Sequence, residues 1–198
     1  PPFEDVIKVA DKNGDGKLQQ GEVPPDLKHS GSWGAIDLDH DDAMDARDWG
    51  FYRARRAARN SMMAIKLGGT GDITGSHILW RFDKSLPDVP QPLLYNGVLY
   101  LVRTGGIFTT LNAATGEVHK QGRLTGALEG YYASPVAAAG KVYAFSEHGK
   151  VVTLKAAPEW EVESVADFGE DIFATPAIAD NVMYLRTAAA LYAIGTRR

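Results

Sequence analysis

Gln91-Pro-Leu-Leu-Tyr-Asn-Gly-Val-Leu-Tyr-Leu-Val102 returns twice further along the chain, as Ser134-Pro-Val-Ala-Ala-Ala-Gly-Lys-Val-Tyr-Ala-Phe145 and as Thr175-Pro-Ala-Ile-Ala-Asp-Asn-Val-Met-Tyr-Leu-Arg186. In register, Pro92, Pro135 and Pro176 coincide. So do Gly97, Gly140 and Asn181, and Tyr100, Tyr143 and Tyr184, at offsets of 43 and 41 residues. Each copy reads as two short strands around a tight turn. Proline opens the first strand, where its missing N–H costs least, and Gly or Asn supplies the positive φ that a two-residue hairpin needs.

Working outward, each copy continues into a further turn and strand: Gly105-Gly106-Ile-Phe-Thr-Thr-Leu111, Gly149-Lys-Val-Val-Thr-Leu154 and Ala190-Leu-Tyr-Ala-Ile194. A fourth strand follows in two copies, around Glu117–Leu124 and Trp160–Phe168. Four short strands recurring every ~40–45 residues are the pattern of β-propeller blades; a β-sandwich with coincidental repeats is the competing architecture. Met62–Leu67 and His77–Phe82 add two strands of an earlier blade. The predicted fold is mainly β: a partial propeller of about three blades of four-stranded antiparallel sheet, plus a small helical segment ahead of it. Domains are expected at 1–60 and 61–198, with blades near 62–84 (incomplete), 91–124, 134–168 and 175–195 (incomplete). Propellers close with about 4–8 blades, so the chain reads as the C-terminal piece of a longer propeller. The weaker alternative is that two copies complete each other through their open edges.

Composition narrows the function classes. The 198 residues are 44% hydrophobic with no cysteine, which removes disulfides, a thiolate nucleophile and a Cys-based zinc site. A net charge of −4 and pI near 5.7 argue against a nucleic-acid surface. No apolar run approaches the ~18 residues of a membrane span. The opening Pro-Pro-Phe-Glu-Asp-Val-Ile-Lys lacks Met and any signal-like pattern, so either a signal has been removed or the chain starts inside a longer protein.

Residues 1–60 carry the chemistry. Asp11-Lys-Asn-Gly-Asp-Gly-Lys-Leu-Gln-Gln-Gly-Glu22 satisfies the twelve-residue EF-hand pattern at every position. Asp11, Asn13 and Asp15 offer side-chain oxygens at loop positions 1, 3 and 5, Lys17 its backbone carbonyl, Gln19 an oxygen through water, and Glu22 two closing oxygens. Gly16 allows the sharp turn, and Leu18 is placed to bridge to a paired loop. That loop is Asp37-Leu-Asp-His-Asp-Asp-Ala-Met-Asp-Ala-Arg-Asp48, with Asp37, Asp39, Asp41, Ala43, Asp45 and Asp48 at the ligand positions and Met44 matching Leu18. Asp42 stands where glycine is usual, a residue that visits the left-handed region more readily than most. Asp48 replaces the closing Glu with a shorter arm, which favours Mg²⁺ or weaker Ca²⁺ binding. A polar turn without metal is the bland alternative for both. Pro24 and Pro25 predict that the helix leaving the first loop starts late and is short. Ala46–Asn60 reads as the exit helix of the second, with Trp49 and Tyr52 packing and Arg53, Arg55, Arg56 and Arg59 at its C-terminal end, where cations suit the helix dipole.

The β half resembles the pyrroloquinoline-quinone-like (PQQ-like) propeller repeat proteins. The residues that carry this are Ala64–Thr74, Ile78-Leu-Trp-Arg-Phe82, the three aligned units and Leu111-Asn-Ala-Ala-Thr-Gly-Glu117. Secreted bacterial members with an inserted EF-hand pair look similar. The resemblance implies a closed ring of about eight blades, of which this is the last portion, and export to the periplasm or beyond. In the family's blade motif a tryptophan docks between blades. Here Asn112 stands where Asp is usual, Thr115 and Gly116 match, and Gln121 takes the tryptophan position, leaving Trp80 and Trp160 to dock elsewhere. The family's quinone sits at the ring centre; a partial ring with eroded motifs is not expected to hold it.

Three functions compete. The first is a calcium-stabilised, non-catalytic scaffold or binding module for a protein or carbohydrate partner. The second is a fragment of a quinone-dependent dehydrogenase. The third is a sugar-binding or hydrolytic propeller using Asp72, Thr74, His77, Tyr131, Tyr132 or Ser134.

Overall fold

The computed structural model describes residues 1–24 and 33–195. The chain divides into two compact units, Pro1–Arg59 and Asn60–Arg198. The first contains helix α1 (Phe3–Ala10), strand β1 (Leu18–Gln19), a 3-10 turn at Trp33–Ala35, strand β2 (Ala43–Met44) and helix α2 (Ala46–Ala57). Helix α2 stops at Ala57, short of the Asn60 expected; Ala58 is already extended at ψ 131°. The expected short helix after Pro25 lies outside the described residues.

The core of this unit gathers Val6 and Ala10 of α1, Leu18 of β1, Met44 of β2, and Trp49 and Tyr52 of α2, with Val23 and Ile36 between them. The Trp49 and Tyr52 rings lie 5.2 Å apart, and the Trp49 indole N–H donates to the Pro1 carbonyl at 3.0 Å. At the end of α2, the Arg56 guanidinium donates to the Tyr52 hydroxyl at 2.9 Å and lies 5.7 Å from its ring centre, so this arginine is folded onto an aromatic ring.

The second unit is a row of antiparallel meanders. The first sheet is β3 (Met62–Ile65) with β4 (Ile78–Phe82). The second runs β5 (Leu93–Tyr95), β6 (Val98–Arg103), β7 (Ile107–Asn112), β8 (Val118–Arg123). The third runs β9 (Val136–Ala138), β10 (Lys141–Phe145), β11 (Lys150–Lys155), β12 (Val162–Asp167). The fourth is β13 (Ala177–Ala179), β14 (Val182–Arg186), β15 (Leu191–Gly195). The innermost hairpins have two-residue turns at Asn96-Gly97, Ala139-Gly140 and Asp180-Asn181, with both φ values positive in each, the turn whose twist matches that of its strands.

The third-to-fourth-strand ladders share an irregularity. Their registers shift between Thr110 and Leu111 and between Thr153 and Leu154. The β3–β4 ladder shifts in the same way between Ala64 and Ile65. The fold is a partial β-propeller.

Each sheet is covered by the next. Met62, Trp80 and Phe82 of the first sheet pack on Leu99, Leu101 and Leu111 of the second. The opposite face of the second, with Val98, Tyr100, Val102 and Phe108, packs on Val142, Ala144, Val152 and Leu154 of the third. Tyr143, Phe145 and Val151 then face Met183, Leu185 and Tyr192 of the fourth. Strand β6 is apolar from Val98 to Val102 because both of its faces are covered, the pattern of a strand sandwiched between layers.

Two tryptophans fasten these layers. The Trp80 indole N–H donates to the Ala113 carbonyl of the second sheet at 3.1 Å, and its ring lies against the tight turn at Gly116. Trp160 precedes β12 rather than lying on it; it is buried edge-on to Phe108 at 5.3 Å, with the Lys120 ammonium 4.6 Å over its ring. Gln121, at the family's tryptophan position, instead donates to the Thr109 hydroxyl of its own sheet at 2.9 Å.

Candidate metal centre

Strands β1 and β2 are two residues each and pair antiparallel, Leu18 opposite Met44 and Gln19 opposite Ala43. Leu18 and Met44 are fully buried, so the apolar residue at position 8 of each loop fastens the two loops back to back.

The loops repeat one hydrogen-bond frame. In the first, Asp11 accepts from the Gly16 N–H at 3.0 Å and Asp15 from the Lys17 N–H at 2.8 Å. In the second, Asp37 accepts from Asp42 at 2.9 Å and Asp41 from Ala43 at 3.0 Å. The closing carboxylates also match. Glu22 takes the N–H groups of Lys12 (2.9 Å) and Gln19 (3.1 Å), and Asp48 takes those of Leu38 (3.0 Å) and Asp45 (3.1 Å). Asp48 thus reaches both equivalent backbone donors despite its shorter arm. Positions 4 and 6 are left-handed in both loops: Gly14 and Gly16 at φ 76° and 81°, His40 and Asp42 at 59° and 63°. Asp42 therefore takes the conformation that the consensus glycine would.

The loops differ in what their side chains do next. In the first, the amide groups of Asn13 and Gln19 both donate to Asp15 Oδ2, at 3.0 and 2.7 Å. These bonds and the Lys17 N–H hold the Asp15 carboxyl below the usual carboxylate range, the Lys17 N–H foremost. In the second loop, one oxygen each of Asp37, Asp39 and Asp48 lies within 4.8 Å of the others. This is the cluster of metal-binding groups among the described residues. Asp37 is 1% exposed, and its Oδ1 has no hydrogen-bond donor. A buried carboxylate oxygen without a donor is costly unless a cation satisfies it. The residues present therefore fit a hard divalent ion.

Asp45 is not one of those three. It caps α2, accepting from the N–H groups of Asp48 and Arg47, and these bonds, the Asp48 N–H foremost and desolvation opposing, leave its carboxyl below its ordinary range. Asp41 is held by the Lys17 ammonium of the first loop, a contact absent from the expectations for either loop. The ion pair depresses the Asp41 carboxyl and raises the Lys17 ammonium.

The residues of the third functional reading make local contacts. The Tyr131 hydroxyl is buried and donates to the Ala127 carbonyl at 2.7 Å, with burial pushing its pKa far up. Ser134 Oγ accepts the Gln91 N–H at 2.9 Å. Asp72 accepts the Thr74 N–H at 2.9 Å, and His77 shares a 2.7 Å hydrogen bond with Ser76. Tyr132 is exposed and lies edge-on to Phe173 at 5.3 Å.

No protein-family model and no curated protein matches the sequence. Solved structures that overlap the fold include BamB from Moraxella catarrhalis (16% identity, TM-score 0.49, 60% of this chain and 36% of that one). Others are a europium-containing methanol dehydrogenase (14%, 0.41, 54% and 21%) and the computationally designed Ika4 protein (12%, 0.49, 60% and 72%). The chain spans about a third of the BamB length. None of these three reaches a TM-score of 0.5, and the fold assignment rests on the sheet order, register and repeated ladder shift.

Proposed function

We propose that Pro1–Arg59 is a two-loop divalent-cation module, with Ca²⁺ the ion its donors suit, and that Asn60–Arg198 is a non-catalytic propeller scaffold for a protein or carbohydrate partner. The observation that carries the metal reading is the donor-less Oδ1 of buried Asp37 beside Asp39 and Asp48. Asp11, Asn13, Asp15, Gln19 and Glu22 with the Lys17 carbonyl would hold one ion. Asp37, Asp39, Asp41, Asp45 and Asp48 with the Ala43 carbonyl would hold the other.

All of these donors are oxygens, the hard ligand set that calcium takes in numbers of about 6–8 and magnesium in strict octahedral geometry. With Asp48 as the closing residue the second loop favours Mg²⁺ or a weaker Ca²⁺ site. Bound metal would offset the repulsion among clustered carboxylates, so binding and folding are coupled. Leu18 and Met44 lie wholly inside the core, which suits a structural ion rather than one that opens a groove. Loops of this kind in extracellular modules bind calcium at roughly 10⁻⁴–10⁻³ M, and an exported protein meets such concentrations.

Calorimetric titration of the chelator-stripped protein with Ca²⁺ is expected to show at least one saturable step, and Glu22→Ala removes or weakens the step of the first loop about tenfold or more. A titration without heat or saturation, paired with a melting temperature identical in calcium and in chelator, would overturn the reading.

A further inference from the structure

The loops are joined by a charge as well as by a strand pair. Lys17 stands at position 7 of the first loop, where its expected role is to offer a backbone carbonyl. Its side chain crosses to the second loop, and its ammonium pairs with Asp41 Oδ2. Continuing the antiparallel register from Leu18 opposite Met44 places Lys17 opposite Asp45. The ammonium feels Asp39 and Asp45 as well as Asp41. Asp41 Oδ1 accepts the Ala43 N–H, so both oxygens of the position-5 ligand are engaged.

The carboxylates of the second loop are thereby divided. Asp37, Asp39 and Asp48 converge, Asp45 caps α2, and Asp41 is held by a cation from the neighbouring loop.

We infer that Lys17 sets the affinity of the second loop for divalent ions, its ammonium serving as a resident cation that an incoming ion must displace from Asp41 or bind beside. This rests on the cation reading above. Two effects follow from one charge. With metal absent, the ammonium relieves repulsion among the second-loop carboxylates and stabilises the empty loop. With metal arriving, it competes for Asp41 and repels the ion, so affinity falls. Lysine suits this role because its ammonium is a compact point charge on a flexible stem, able to move aside without disturbing the β1–β2 pair.

The test compares wild type with Lys17→Gln, which keeps much of the side chain's length and removes its charge, and with Lys17→Arg, which keeps the charge. All three are titrated with Ca²⁺ and separately with Mg²⁺ in a Glu22→Gln background that weakens the first loop. Lys17→Gln is expected to tighten the remaining site about tenfold, the effect of removing one unit charge about 6 Å from a divalent ion under water-like screening. The gain should shrink in high salt, and Lys17→Arg should stay within about twofold of wild type.

The second readout is stability. Lys17→Gln should melt lower than wild type in chelator and not lower in saturating calcium, an inversion that simple loss of packing would not produce. Equal affinities for Lys17→Gln and wild type, or a melting deficit of the same size with and without metal, would overturn the assignment to Lys17 while leaving the cation reading intact. The absence of binding by the wild-type protein carrying both loops would sink the cation reading itself.

Discussion

At the scale of single residues, Gly116 shows how little room the inter-sheet contacts leave. Its φ is +75°, and a Cβ added there would lie 2.6 Å from the Trp80 ring. Gly116→Ala combines a left-handed backbone penalty with a clash against an indole pinned by its bond to Ala113. A loss of about 3 kcal/mol is expected in a urea titration; a loss under about 1 kcal/mol would mean that the turn moves freely. His148 offers a pH handle. Its Nδ1 lies 3.2 Å from Asp171 Oδ1 and its Nε2 3.6 Å from Glu147, and its pKa is raised, first by the Asp171 hydrogen bond and then by the charges of Glu147, Asp171 and Glu129. Because the folded-state pKa lies above the unfolded one, the contribution is fully present below the unfolded value of about 6.5 and is lost as pH rises through the folded value. Denaturant midpoints should therefore fall slightly across that window for wild type and less so for His148→Gln. An identical profile for the two proteins would remove the pairing.

At the scale of elements, α2 illustrates a residue with two duties. Asp45 is position 9 of the second loop and also the N-cap of the helix, in a capping box completed by Asp48. In excess chelator, where ligation cannot contribute, Asp45→Ala should still cost about 1 kcal/mol in a thermal melt; no cost would show that the box is ornamental. The strands were legible because each rule acts locally: proline opening the inner strand, positive-φ residues in the hairpin turn, apolar runs where both faces are covered. Trp160 was less legible. Residues 160 and 161 sit outside the ladder, where Lys155 N–H reaches the Glu161 carbonyl across the register shift at Thr153–Leu154, and such a shift leaves no mark in hydropathy. In the loops, spacing alone announced the pairing of Leu18 with Met44 and the left-handed turn at Asp42. It could not announce that the Asn13 and Gln19 amides turn on Asp15, or that Lys17 reaches Asp41, because both depend on side-chain directions set by the pairing of Leu18 with Met44.

At the scale of the whole molecule, the row of sheets ends on faces that its own repeat shows how to cover. Phe108 of the second sheet is 0% exposed and its counterpart Val151 in the third is 8%, whereas Leu191, the matching residue of the fourth, is 70% exposed. Tyr184 follows Tyr100 and Tyr143 in the same way, at 41%. At the other end Met63, Ile65 and Leu79 of the first sheet are exposed. The bonds from Gln91 N–H to Ser134 Oγ and from Ser134 N–H to Thr175 Oγ1 run from sheet to sheet and stop at the fourth. Exposed strand edges and apolar faces of this kind associate. Sedimentation should therefore show concentration-dependent self-association that Leu191→Asp weakens; a wild type that stays monomeric at high concentration would contradict this.

The placement of the four tryptophans has a practical corollary. Trp33 and Trp49 belong to the loop-bearing unit, Trp80 and Trp160 to the sheets, and Trp160 lies under an ammonium while Trp49 is packed at a tilt against neutral rings. The chain thus carries its own pair of optical channels. Replacing two indoles at a time with phenylalanine would let emission follow ion uptake in one unit and unfolding in the other, without any attached dye.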